Sequence, residues 1–252
     1  ETLSKGFDQP NSNPWIDNMA RKPDGSYQIL GQQGGRTFMT GTDADLDEYP
    51  LFSFAWGNYN LFSRALHVVD QSNVLFVGTA TLNERNYLIR TDGVSPNWDL
   101  LMDNRFFGNF ITVTSDGNYL VVGAKDEDED FEFLPHALLV SPSKSVLFNN
   151  TVGTFPAGSL LHVMEQEDGF VLTGVVSGAN TKGGNDMYLV KVSKDFGTIL
   201  WEKTFGGGLD DSGRRVFEGP DGGLIVLGTT RSKSASQDIY IVRTDNEGVI
   251  RN

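Results

Sequence analysis

The chain lacks cysteine, and it has three histidines and few basic residues. Without cysteine there can be no disulfide, thiolate metal site or cysteine nucleophile. Twenty Lys and Arg side chains against 33 Asp and Glu give a formal net charge of −13. Because this charge repels a phosphate backbone, we do not expect nucleic acid as a partner. No apolar run approaches the roughly 18 residues that a membrane-spanning helix needs.

An internal repeat is the strongest positive signal in the sequence. Five short apolar runs each end in glycine and follow a turn-like segment such as Asp24-Gly25 or Asp116-Gly117, which suits a tight hairpin. The runs are YQILG (27–31), VLFVG (74–78), YLVVG (119–123), FVLTG (170–174) and LIVLG (224–228). Their terminal glycines are 47, 45, 51 and 54 residues apart. This spacing predicts five units of similar structure.

Each unit reads as four strands, the pattern of a propeller blade. A strand precedes each glycine-terminated run, and a third and a fourth strand follow it. We therefore predict an all-β, five-bladed β-propeller of four-stranded antiparallel blades, forming a single domain over residues 1–252. The expected repeats are 14–57, 58–107, 108–155, 156–207 and 208–252, with residues 1–7 supplying the last fourth strand and closing the ring. A fragment of a larger propeller and an open β-solenoid are the alternatives.

Two stretches carry a family resemblance. FGGGLDDSGRRVFEGPDGGLIVLGTT (205–230) and KVSKDFGTILWEKTFGG (191–207) resemble the propeller repeats of exported bacterial proteins, especially Bacteroidetes-type surface lipoproteins. The segment around Trp201 is also similar to pyrroloquinoline-quinone-type repeats, in which tryptophan docks between blades. The resemblance implies an extracytoplasmic location at the cell surface or in the periplasm, and a lipid anchor on the precursor. It does not imply the quinone, and we predict no cofactor.

No catalytic or metal-binding constellation stands out from the spacing alone. His67 and His162 lie in apolar segments of innermost strands, where a hydrogen-bonded structural histidine is the favoured interpretation and a ligand-facing one the alternative. The acidic stretches 43–48 and 126–130 have alternating carboxylates but lack the glycine of a calcium loop, so we predict solvated loops and no metal, with a weak calcium site as the alternative. Neither catalytic residues nor metal ligands are therefore assigned.

Blade topology makes the two faces of a propeller unequal. The loops between second and third strands and the links between blades emerge on the same face, and variable loops on a rigid scaffold are where ligands usually bind. The ligand-binding candidates on that face are Trp56, Asn58, Tyr59, Phe107, Asn109, Asp210, Asp211 and Arg231. We expect a non-catalytic binding or scaffolding module of an exported bacterial protein, with a protein or glycan ligand. The alternative is a small propeller hydrolase or lyase with carboxylate and histidine chemistry in the central channel.

Overall fold

The computed structural model describes residues 15–33, 36–44, 52–53, 61–80, 85–92, 96–103, 105–127, 132–234 and 236–251. It divides into two compact units, residues 1–111 and residues 112–252. No helix occurs among the described residues, and none of them forms a helical span suited to crossing a membrane. The predicted ring closure by residues 1–7 lies outside the described residues.

The strands of the first unit form two four-stranded antiparallel sheets, β1 to β4 and β5 to β8 in consecutive order. They are β1 (Trp15–Arg21), β2 (Tyr27–Gln33), β3 (Arg36–Thr42), β4 (Phe52–Ser53), β5 (Leu61–Val68), β6 (Val74–Ala80), β7 (Arg85–Thr91) and β8 (Pro96–Leu101). A core within this unit joins the two sheets through residues such as Leu30, Met39 and Phe76.

The remaining strands form two four-stranded sheets and one sheet of three, again in consecutive order. They are β9 (Phe106–Val113), β10 (Tyr119–Asp126), β11 (Phe133–Val140), β12 (Val146–Thr151), β13 (Ala157–Gln166), β14 (Gly169–Ser177), β15 (Asp186–Ser193), β16 (Ile199–Phe205), β17 (Asp211–Glu218), β18 (Leu224–Thr230) and β19 (Asp238–Thr244). The unit boundary falls within β9. The prediction of an all-β, five-bladed propeller is confirmed, with three described strands in the last blade.

The glycine that ends each repeated run has a structural cause. In four blades the first strand contains a β-bulge opposite this glycine; in the fourth blade, for example, the register shifts between Leu160 and His162, and Leu160 pairs with Gly174. The bulge brings a backbone carbonyl onto the glycine: a Cβ on Gly174 would stand 2.0 Å from the oxygen of Ser159. The same clash would occur at Gly31 and Gly228, so the bulge requires a residue without a side chain.

Side chains also join neighbouring blades of the second unit. Trp201 on β16 lies against the turn after β19, where a Cβ on Gly248 would stand 2.9 Å from its ring. Met187 and Leu189 of β15 share a core with Val216 of β17 and Val226 of β18. The fourth and fifth blades are therefore packed together, and their link is held in a fixed position.

Substituting Gly174→Ala should destabilise the protein by about 2 to 3 kcal/mol, because the new methyl group meets a backbone carbonyl that cannot rotate away. Urea unfolding followed by circular dichroism measures this. Gly208→Ala is the control, since no atom lies within 4 Å of its Cβ position. Equal unfolding midpoints for the two variants would contradict the role assigned to the bulge.

Candidate active site

Two buried aspartates, Asp186 and Asp211, meet at the link between the fourth and fifth blades. Asp186 begins β15 and Asp211 begins β17. A Cβ on Gly206 would stand 2.1 Å from Asp186 Oδ1 and 2.7 Å from Asp211 Oδ2, so these oxygens are no farther apart than the sum of the two distances. Glycine after β16 therefore allows two carboxylates to approach each other within the protein.

Each carboxylate is held through one oxygen. Asp186 Oδ2 accepts a hydrogen bond from the backbone N–H of Lys182 at 2.9 Å. Asp211 Oδ2 accepts two, from the backbone N–H of Gly207 and from the Ser232 hydroxyl, both at 2.8 Å. Within the described part of the chain, Oδ1 of each aspartate is buried and has no hydrogen-bond partner. The pair is thus fixed in place, with one buried oxygen of each carboxylate left without a hydrogen-bond partner among the described residues.

The surroundings of Asp186 favour its protonated form. Burial raises the pKa of Asp186, and the charge of Asp211 raises it further, while the hydrogen bond from Lys182 acts in the opposite direction. The pKa of the Tyr240 hydroxyl is also raised, by burial and by the charges of both aspartates. A close pair of buried carboxyl groups is a common way for a protein to hold an acid ready near neutral pH.

One member of the pair, Asp211, lines a pocket. This pocket, of about 410 Å³, falls within the range typical of small-ligand sites. Its lining residues are Leu161, Val175, Asn185, Asp210, Asp211, Ser212, Arg214, Thr229, Arg231 and Gln237. Asp186 is fully buried and is not among them. Asp211, whose side chain is also buried, is therefore the member of the pair that lies at the pocket wall.

Asp210 supplies a second carboxylate to the pocket. Its Oδ1 accepts hydrogen bonds from the backbone N–H and the side-chain amide of Asn185, at 3.0 and 3.3 Å. Its Oδ2 lies 3.9 Å from the guanidinium of Arg231, and both side chains are about half exposed. Asp210 thus sits in a polar, solvated setting, whereas Asp211 is buried against another carboxylate.

The predicted ligand-binding residues fall into three groups. Asp210, Asp211 and Arg231 are brought together in the pocket. Phe107 and Asn109 lie on β9, in the part of that strand that belongs to the first unit, and are half-buried there. Trp56, Asn58 and Tyr59 lie outside the described residues.

Asp186 is the residue that sequence reasoning missed. It follows the loop between the second and third strands of its blade, and Asp211 follows the link to the next blade. Blade topology places both connections on the same face, so this signal could have paired the two aspartates. The abundance of acidic residues concealed it, because 33 of them offer many pairs.

The histidines are structural in their surroundings. His162 Nδ1 accepts a hydrogen bond from the backbone N–H of Val216 at 3.3 Å, which connects β13 to β17. Burial lowers the pKa of His162 to about 4, with a further contribution from the charge of Arg215. Burial likewise lowers the pKa of His67. Across the described ranges, no three His, Asp or Glu side chains are grouped so as to hold a metal ion.

No protein-family model matches the chain, and no curated protein matches it. Solved structures do match the chain. The chain is similar to Drosophila Plexin A in complex with Semaphorin 1b (8% identity, TM-score 0.58), covering 92% of this chain and 52% of that one. It is also similar to a bifunctional GH43-CE protein of Bacteroides eggerthii (10% identity, TM-score 0.51), and that match covers 95% of this chain and 36% of the other. An endo-arabinase from Bacteroides thetaiotaomicron has 10% sequence identity and a TM-score of 0.47, and the match covers 95% of this chain and 96% of that one.

The TM-scores above 0.5 of the plexin and the bifunctional protein show a likeness in fold, and identities this low show nothing more. The chain spans about half or less of the length of the plexin and of the bifunctional protein. The comparison supports neither a lipoprotein family nor a quinone-type one. The prediction of a non-catalytic binding or scaffolding module is wrong, because the matched propellers include a GH43 glycoside hydrolase. The physical reason for the error is that the carboxylate pair forms only on folding.

Stability should fall as the pH drops from about 6.5 towards 4. In that interval the unfolded chain protonates His162, whose ordinary pKa is near 6.5, while the folded chain does not, since its pKa is about 4. The loss should be on the order of 2 kcal/mol, allowing for partial exposure. Urea midpoints between pH 7 and pH 4 measure it. His162→Gln should show a shallower pH dependence, and an unchanged slope would contradict this assignment.

Proposed function

We propose that the chain is a hydrolase that cleaves glycosidic bonds in the pocket at the link between the fourth and fifth blades. The observation that supports this most is the buried pair of Asp186 and Asp211, which reaches the pocket through Asp211. The likeness in fold to the GH43-containing propeller agrees with it.

Glycoside hydrolysis needs two carboxyl groups in different protonation states. One must carry a proton for the leaving oxygen, and the other must be ionised to activate water or attack the sugar. Two carboxyls line the pocket in contrasting environments. We assign the proton donor to Asp211, which lies against the buried carboxyl group of Asp186, and the carboxylate that acts on water or the sugar to Asp210, which lies beside Arg231.

Asp186 acts in this scheme as a positioning residue. It is buried behind Asp211 and does not line the pocket. Burial and the charge of Asp211 raise the pKa of Asp186, which favours the protonated form of this carboxyl group. The one proton of the pair passes through Asp211 to the leaving oxygen as the glycosidic bond breaks, and Asp210 takes a proton from the attacking water, so the carboxyl groups together hold as many protons after the reaction as before.

A glycan is the partner that this pocket suits best. Its lining supplies the Asn185 and Gln237 amides together with the Ser212 and Thr229 hydroxyls, which can bind sugar hydroxyls from several directions. An enzyme acting on polysaccharide would work outside the cytoplasm, as the repeat resemblance also implies. A surface location and a lipid anchor on the precursor are part of this proposal.

Substituting Asp211→Asn should reduce hydrolysis of its oligosaccharide substrate by about a thousandfold, because an amide cannot donate the proton. Asp210→Asn should cause a loss of similar size. A panel of arabino-, xylo- and uronate-containing oligosaccharides, analysed by chromatography of reducing ends, provides the assay.

Asp238→Asn is the matched control. Asp238 begins β19 as Asp186 begins β15, at the same register position, and it lies outside the pocket with Ser234 as its hydrogen-bond partner. This variant should retain full activity. Undiminished turnover in a folded Asp211→Asn variant would overturn the assignment, as would the absence of cleavage across the panel.

A further inference from the structure

The bulge in β17 places an arginine at the proposed active site. The register of β17 shifts between Gly213 and Arg215, so Arg214 is the extra residue of the bulge. A bulge redirects the side chain of its extra residue. Arg214 is exposed and lines the same pocket as Asp210 and Asp211.

Arg214 carries a charge that the described protein leaves unpaired. No carboxylate within the described ranges forms an ion pair with it, although the chain as a whole has a surplus of 13 negative charges. Arg64 is the bulge residue of β5, and its guanidinium stacks on the Phe107 ring at 5.4 Å. Among the described residues, no aromatic ring stacks on the guanidinium of Arg214, and this residue lines the pocket.

A second cation stands next to Arg214 in the chain. Arg215 follows Arg214 and donates from Nη1 to the Leu161 carbonyl oxygen at 3.4 Å. Burial and the charge of Arg214 both lower the pKa of Arg215, which indicates that the two guanidinium groups repel each other. A bound anion would relieve this repulsion.

We propose that the pocket takes a glycan bearing a carboxylate, a uronic acid residue, and that Arg214 binds this carboxylate. This inference rests on the proposed function and names its substrate class. A guanidinium binds a carboxylate through two parallel hydrogen bonds, which gives both affinity and orientation. Arg231 already faces Asp210, so Arg214 is the pocket cation that remains for the substrate.

The test compares binding of acidic and neutral oligosaccharides of equal length by calorimetry. The protein carries Asp211→Asn so that it binds without turnover. Uronate-containing oligosaccharide should bind at least about tenfold more tightly than its neutral counterpart at low salt, and the preference should shrink as salt is added. Adding Arg214→Gln should abolish the preference and leave affinity for the neutral sugar unchanged.

Arg243→Gln is the control for charge removal. Arg243 lies on β19, outside the pocket, and pairs with Asp221 at 2.8 Å. This variant should keep the preference. Equal binding of acidic and neutral sugars would overturn the inference, and so would an equal weakening of both by Arg214→Gln.

The experiments distinguish failure of the uronate inference from failure of the proposed hydrolase activity. Cleavage of neutral oligosaccharides without any acidic preference would overturn the uronate assignment and leave the hydrolase standing. A uronate preference lost in Arg214→Gln, together with cleavage to an unsaturated sugar by the unsubstituted protein, would support the substrate class and overturn hydrolysis in favour of elimination.

Discussion

The contact between a bulged first strand and a glycine in the second strand constrains much of this structure. At Gly31, Gly174 and Gly228 a carbonyl oxygen of the first strand occupies the space where a side chain would begin. The bulge bends the innermost strand of the blade and redirects one of its side chains. The glycine is therefore repeated in the sequence because the bulge requires it, and not because a turn does.

The bend and the link between blades together produce the candidate site. Arg214 is the residue that the bulge displaces, and Asp211 stands three residues before it at the start of the same strand. The core shared by β15, β17 and β18 fixes that strand against the preceding blade. Because Gly206 has no side chain, Asp186 can approach Asp211 across the link. Backbone geometry thus brings two carboxylates and an arginine to neighbouring positions.

The sequence predicted the repeated elements well because they depend on local patterns. Alternating apolar runs and Asp-Gly turns indicate strands and hairpins, and the five-bladed fold followed from counting them. Blade topology led us to expect Asp210, Asp211 and Arg231 on the same face, and the three residues line one pocket. The contact between Asp186 and Asp211 was not predicted. These residues are far apart in the sequence, and they approach each other only because Gly206 has no side chain. The mistaken expectation of a non-catalytic module had the same origin.

The proposed chemistry depends on Asp186 and Asp211 holding a proton between them above the pH at which a free aspartate ionises. Infrared difference spectroscopy of the unsubstituted protein against Asp186→Asn measures it through the C=O stretch of a protonated carboxyl group. We expect a band that persists well above pH 4, the ordinary range for aspartate, and that is lost in the variant. If the band disappears near pH 4, the pair is fully ionised near neutral pH and does not hold the proton that the proposed chemistry needs.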